Sequence, residues 1–360
     1  MKAYNDKNTD LQILRGIAII MVVLQHYKWR LPSADWYSDS VNYLSYWSGV
    51  DIFLALSGFL MFGVISRELA KNGKTFESFK SFFIKRMFRL YPALIFWVLM
   101  SIVVAWYVAP FFNADGSLAA KSALPSLFAY SNFYWYECVV TASNCGSSDL
   151  SGITWSLSLE WQLYIALFLL MMVTNKRYLI FILFLVIIAS FFVPSDPSQA
   201  KSLAWWTRPQ SFVIGVIIAM VNSRFEIKLS RTFRLLLLIL SVVAICTLPK
   251  HVDHRMLTFT VGVLGGLCLL PCVQGDLFGG GIVGKAFLWI GDRSYSLYLS
   301  HLIVIHAFAK LIRDNEALHF INDNGYIALL ICVSLLAAIS HLSYAFIEIP
   351  LIKVGKKITQ

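Results

Sequence analysis

Leu11-Gln12-Ile13-Leu14-Arg15-Gly16-Ile17-Ala18-Ile19-Ile20-Met21-Val22-Val23-Leu24-Gln25-His26 is an apolar run that carries one permanent cation inside it and an imidazole at its far end. Roughly 17 to 25 such residues, wound as a helix, cross about 30 Å of hydrocarbon. The run lacks a small-residue cleavage site and therefore reads as a retained span, not a signal peptide. Stretches of the same kind recur over 11–28, 49–66, 87–109, 156–174, 178–194, 203–222, 232–249, 256–273, 286–309 and 326–348. About ten transmembrane helices are thus predicted, and the fold class is an all-α integral membrane protein. No internal repeat is evident.

Composition agrees. The chain is 58% hydrophobic and only 14% charged, against about 25% charged in soluble domains. A net charge of +10 raises nucleic acid as a partner, but the placement of the cations excludes it. They concentrate on alternate loops: Lys2, Lys7, Arg67, Lys71, Lys74, Lys176, Arg177, Lys228, Arg231, Lys353 and Lys356 fall on one side, while the other side has Lys28, Arg30, Lys121, Lys201 and Lys250 among its few. By the positive-inside rule both N and C termini are cytoplasmic, which suits an even number of spans. The partner implied is the lipid bilayer. Residues 1–360 read as a single membrane-embedded domain with no appended soluble domain, so any chemistry must be built from helices and their loops.

Cys246, Cys268, Cys272 and Cys332 lie in apolar segments as small buried hydrophobes. Cys138 and Cys145 sit in a loop assigned outside, where a short disulfide is open to them if that face is oxidising. No Cys/His pattern has zinc spacing, and no metal is expected. Two outside segments, 29–48 and 110–155, are rich in Trp and Tyr. They read as an interfacial aromatic belt, as a platform for sugar rings, or as both.

Within the first span, Arg15 and His26 are eleven residues apart. At about 100° per residue they return to nearly the same face, separated by roughly 16 Å along the axis. Ionisable groups inside a span are costly and face a cavity or a partner; the alternative is that each snorkels to its own interface. Lys85-Arg86-Met87-Phe88-Arg89 places Arg86 and Arg89 at i, i+3 on one helical face, a fork for phosphate or for anionic lipid. Asp51, in Gly49-Val50-Asp51, is expected at the depth of His26, where a carboxylate can fix the tautomer of a general base. Ser57-Gly58 reads as a small-residue helix contact. Glu160, in Trp155-Ser156-Leu157-Ser158-Leu159-Glu160, is the acid most deeply set in apolar sequence. Tyr295, Tyr298 and His301 drift around their helix at i, i+3, i+6, and packing and hydrogen bonding account for most of that group.

These segments, in this order, resemble the acyltransferase 3 family of polytopic membrane acyltransferases. The resemblance is carried by Leu14 to Ala18 with His26, Gly49 to Gly58, Lys85 to Pro92, Ser131-Asn132, Trp155 to Tyr164, Arg208 to Gly215 and Ser294 to His301. Arg15 and His26 match the family's Arg, ten residues, His signature; Arg86 and Arg89 match its Arg-x-x-Arg signature. One departure is visible: Trp161 stands where many relatives have a second acid after the Glu. The resemblance implies a multi-pass protein of the cytoplasmic (inner) membrane. It implies an acyl-CoA donor, usually acetyl-CoA, and an acceptor hydroxyl on a surface glycan or lipid-linked glycan such as O-antigen or exopolysaccharide. Arg15, Arg86 and Arg89 are then expected to hold the donor, with His26, Asp51 and Glu160 as the catalytic set. A polytopic transporter or exporter is the alternative from another class, since intramembrane Arg, His and Glu also mark substrate and proton pathways; no inverted repeat or matched pair of broken spans supports it.

Overall fold

A computed structural model describes residues 8–108, 115–143, 145, 148–193, 198–225, 228–278 and 280–359. Lys2, Lys7 and part of the 110–155 loop lie outside the described residues. All regular structure among them is helical. The order is α1 (Thr9–Tyr27), α2 (Asp35–Tyr43), α3 (Gly49–Asn72), α4 (Phe76–Val108), α5 (Gly116–Leu127), α6 (Ser131–Val140), α7 (Ser148–Ser151), α8 (Thr154–Val173) and α9 (Lys176–Ser190). It continues with α10 (Leu203–Trp206), α11 (Gln210–Arg224), α12 (Arg231–Thr247), α13 (His254–Leu269), α14 (Ile282–Asp292), α15 (Ser294–Asp314), α16 (Gly325–Ser343) and α17 (Ile349–Ile358).

Eight helical stretches among the described residues are long and apolar enough to cross a bilayer. Two of the expected spans, 178–194 and 203–222, appear instead as helices of 15 residues each, α9 and α11. The expected span over 286–309 is divided at Arg293 between α14 and α15. The division has a local cause. Arg293 turns back, its Nη1 donating to the Trp289 carbonyl at 3.0 Å and its Nε donating to His341 Nδ1 at 3.0 Å, so the side chain occupies the end of α14. Its guanidinium stacks on Trp289 at 4.1 Å.

The central helix is α3, packed by α1, α8, α11 and α13. Its crossing with α11 is set by two glycines: a Cβ on Gly58 would fall 2.0 Å from the Phe212 carbonyl oxygen, and one on Gly215 would fall 2.0 Å from that of Ala55. Only hydrogen fits there, which makes Ser57-Gly58 the close helix contact expected. At its start α1 is capped by Asn8, whose Oδ1 accepts from Asp10 and Leu11 N–H while its Nδ2 donates to the Cys272 and Val273 carbonyls. Asp10 accepts from the Leu277 and Phe278 amides and faces Arg234 at 3.8 Å. These contacts pin the register of α1, and with it the positions of Arg15 and His26. Cys138 and Cys145 are joined by a disulfide, and the other four cysteines are buried thiols.

Candidate active site

A cavity of about 500 Å³ opens between α1, α3, α4, α8, α15 and the α16–α17 segment. Arg15 reaches it from α1; Arg86 and Arg89 reach it from α4, one turn apart on the inward face. The three cations expected to act together do line one space. Arg89 is solvent-exposed, whereas Arg15 and Arg86 are half-buried, so the cluster runs from the mouth inward. Arg86 lies over the Tyr164 ring, 5.7 Å from its centroid. Asp292, Glu348 and Lys356 share the wall and were not anticipated as site residues, because the helix packing that brings them to the cavity joins segments distant in sequence.

Glu160 also lines this cavity. Its Oε1 accepts from the hydroxyls of Ser57 and Tyr164. The Ser57-Gly58 pair, read from sequence as a helix contact, thus has two parts: Gly58 makes the helix crossing and the Ser57 hydroxyl binds the carboxylate. Tyr295 and Tyr298 complete the inner wall, with Tyr295 donating to the Leu90 carbonyl at 2.7 Å and Tyr298 bonded to Ser156 Oγ at 2.6 Å.

Asp51 faces the other side of α3. It accepts from Ser211 Oγ at 2.8 Å and lies 3.5 Å from Arg208 Nη2. Arg208 is in turn packed against Trp205, Trp155 and Trp47, whose ring centroids are 4.0, 5.1 and 5.2 Å from the guanidinium. Part of the aromatic segment expected at the outer interface is thus folded inward as a box around a cation.

His26, half-buried at the far end of α1, has His301 as its ring neighbour, with Nδ1 3.0 Å from His301 Nε2. The carboxylates expected to orient His26 are engaged elsewhere, Asp51 with Arg208 and Ser211, Glu160 with Ser57 and Tyr164. His301 was missed because its spacing from Tyr295 and Tyr298 makes no stripe; the visible signal was an imidazole inside an apolar span, which is costly without a partner. Tyr298 connects the two regions, lining the cavity while its ring lies 5.9 Å from that of His301. Among the described residues no group of three or more His, Cys, Asp or Glu is placed to hold a metal ion.

Fold and site define a polytopic helical membrane protein with an arginine-lined cavity and, outside its lining, a histidine pair that touches the cavity wall through Tyr298. The acyltransferase 3 family model, described as an acyltransferase domain, matches residues 8–342, and the chain belongs to that family. A protein of Staphylococcus aureus strain COL with a provisional O-acetyltransferase name is 26% identical, the match covering 96% of this chain and 57% of the relative. O-acetyltransferase OatA of Staphylococcus aureus strain NCTC 8325 is 25% identical over the same shares. The chain thus spans little more than half the length of these curated relatives. No solved structure matches it.

Proposed function

We propose that this protein is an O-acetyltransferase of the cytoplasmic (inner) membrane. It moves an acyl group, acetyl by preference, from cytoplasmic acetyl-CoA to a hydroxyl of a surface glycan or its lipid-linked precursor. The observation that carries this is the convergence of Arg15, Arg86 and Arg89 on one cavity. Planar guanidinium groups recognise phosphate bidentately, and the positive-inside distribution puts their end of the molecule toward the cytosol.

From Arg15 to His26 the helix rises about 16 Å, so donor phosphates at one end leave the acyl end directed toward the other. His26 takes the proton of the acceptor hydroxyl as that oxygen attacks the thioester carbonyl. The C–O bond forms, the C–S bond breaks, and the proton passes to the departing thiolate, giving ester and free thiol. A positioned base of this kind contributes about 10² to 10⁴ in rate. Glu160 orders the Ser57 and Tyr164 hydroxyls along the cavity wall, and Asp51 holds the start of α3 through Arg208 and Ser211.

The test is deletion of the gene followed by NMR of ester groups on the cell's surface glycans. One acyl signal is expected to disappear, to return with the wild-type gene, and to stay absent with His26→Ala at equal membrane abundance. Unchanged ester signals after deletion, or full restoration by His26→Ala, would count against this function.

A further inference from the structure

The hydrogen-bonding order around His26 and His301 assigns a proton to each of their inner nitrogens. His301 is fully buried, and its Nδ1 lies 2.8 Å from the Tyr298 carbonyl and 3.2 Å from that of Leu297. Both neighbours are acceptors only, so Nδ1 carries the proton, and the neutral ring presents a bare lone pair at Nε2. That lone pair points at His26 Nδ1, 3.0 Å away. His26 Nδ1 also lies 2.9 Å from the Val22 carbonyl oxygen. Flanked by two acceptors, His26 Nδ1 must be a donor, and in the neutral ring that acts as a base the lone pair is then the one at Nε2.

We infer that His301 is a positioning residue for the reaction: it selects the His26 tautomer whose Nε2 is the base, and it shares the positive charge that His26 acquires. This rests on His26 acting as the base. When Nε2 takes the hydroxyl proton, the His26 Nδ1–H bond to His301 Nε2 becomes charge-assisted, and such bonds are about twice as strong as neutral ones. In many hydrolases a carboxylate supplies this orientation. Here the buried imidazole of His301 contributes to that orientation through His26 Nδ1. Among the described residues the charged and titratable groups beside the pair include Arg30, whose Nη1 donates to the His26 carbonyl at 2.8 Å, and Tyr298, next to His301 on α15.

The experiment uses the full-length protein in nanodiscs. Histidine ¹⁵N spectra, with the His26 signals assigned by their loss in His26→Gln, should show a protonated Nδ1 and a bare Nε2 in the wild type. A wild type with the proton on Nε2 overturns the proposal without reference to any variant. His301→Ala should lower kcat by about ten- to hundredfold, the loss of one hydrogen bond to a charged group, with the KM for acetyl-CoA within about twofold. His301→Gln, whose Oε1 can accept from His26, should recover at least about a third of that loss on a logarithmic scale. A His301→Ala kcat within about twofold of wild type, or a His301→Gln no better than His301→Ala, refutes it. His26→Ala separates the two ideas: normal activity in that variant removes the base assignment, while the tautomer reading is decided by the wild-type spectra alone.

Discussion

Asp51 and Arg208 form a buried ion pair, Oδ2 to Nη2 at 3.5 Å, with the two residues 0% and 1% exposed. The pair ties the start of α3 to the entry of α11, the two helices that cross at Gly58 and Gly215, and the Trp box closes over the guanidinium. Removing one partner of such a pair leaves an uncompensated charge and costs about 3–5 kcal/mol. Arg208→Ala is accordingly expected to lower the midpoint of thermal unfolding in detergent and to reduce membrane abundance. Arg208→Lys should restore little, because a compact ammonium does not reproduce a planar group packed on Trp205. Equal abundance and melting of Arg208→Ala and wild type would show that the pair does not hold α3 to α11.

Arg86 and Arg89 lie one turn apart on the cavity wall, and their loss should be felt in donor binding before turnover. Each charge-assisted hydrogen bond contributes about 1.5–3 kcal/mol, so Arg86→Ala and Arg89→Ala should each raise the KM for acetyl-CoA by about ten- to hundredfold. Steady-state kinetics at saturating acceptor measures this. A fall in kcat at unchanged KM would place both arginines away from the donor.

The α3–α11 crossing leaves no room at Gly58. Gly58→Leu should fail to accumulate, and even Gly58→Ala, with a Cβ facing the Phe212 carbonyl, should cost on the order of 1–3 kcal/mol as overpacking. Gly63, whose Cβ would meet nothing within 4 Å, serves as the control on the same helix; Gly63→Ala should leave the melting temperature and activity unchanged. Membrane abundance of Gly58→Leu and detergent melting curves of Gly58→Ala and Gly63→Ala decide the matter.

Cys138 and Cys145 are bridged, and the other four thiols are buried. A membrane-impermeant maleimide added to intact spheroplasts should therefore label the protein only after mild reduction, at those two residues, if the 110–155 loop faces out. Labelling that requires lysis of the spheroplasts would reverse the orientation derived from the basic loops.

How much was legible in the sequence follows from what each feature depends on. A transmembrane helix is decided by the length and polarity of one contiguous stretch, so the helical membrane fold and most of the spans could be read directly, whereas 178–194 and 203–222 appear as shorter helices. The Arg86–Arg89 fork is likewise a one-helix property. The division at Arg293 was hidden, because it depends on a side chain that turns back onto its own helix end and bonds His341 from another. The partners of the buried polar groups were hidden for the same reason. Asp51 lies near Arg208, and Glu160 near Ser57, through the crossing of α3 with its neighbours, which is set by steric contact at Gly58 and Gly215. His301 meets His26 because α15 packs against α1 after the chain has returned across the bundle. Periodicity states which way a residue points; only packing states what it points at. The sequence by itself therefore determined that this is a helical membrane protein with cations and an imidazole turned inward. The tertiary structure decided which of them share a cavity, and that a second histidine lies beside His26.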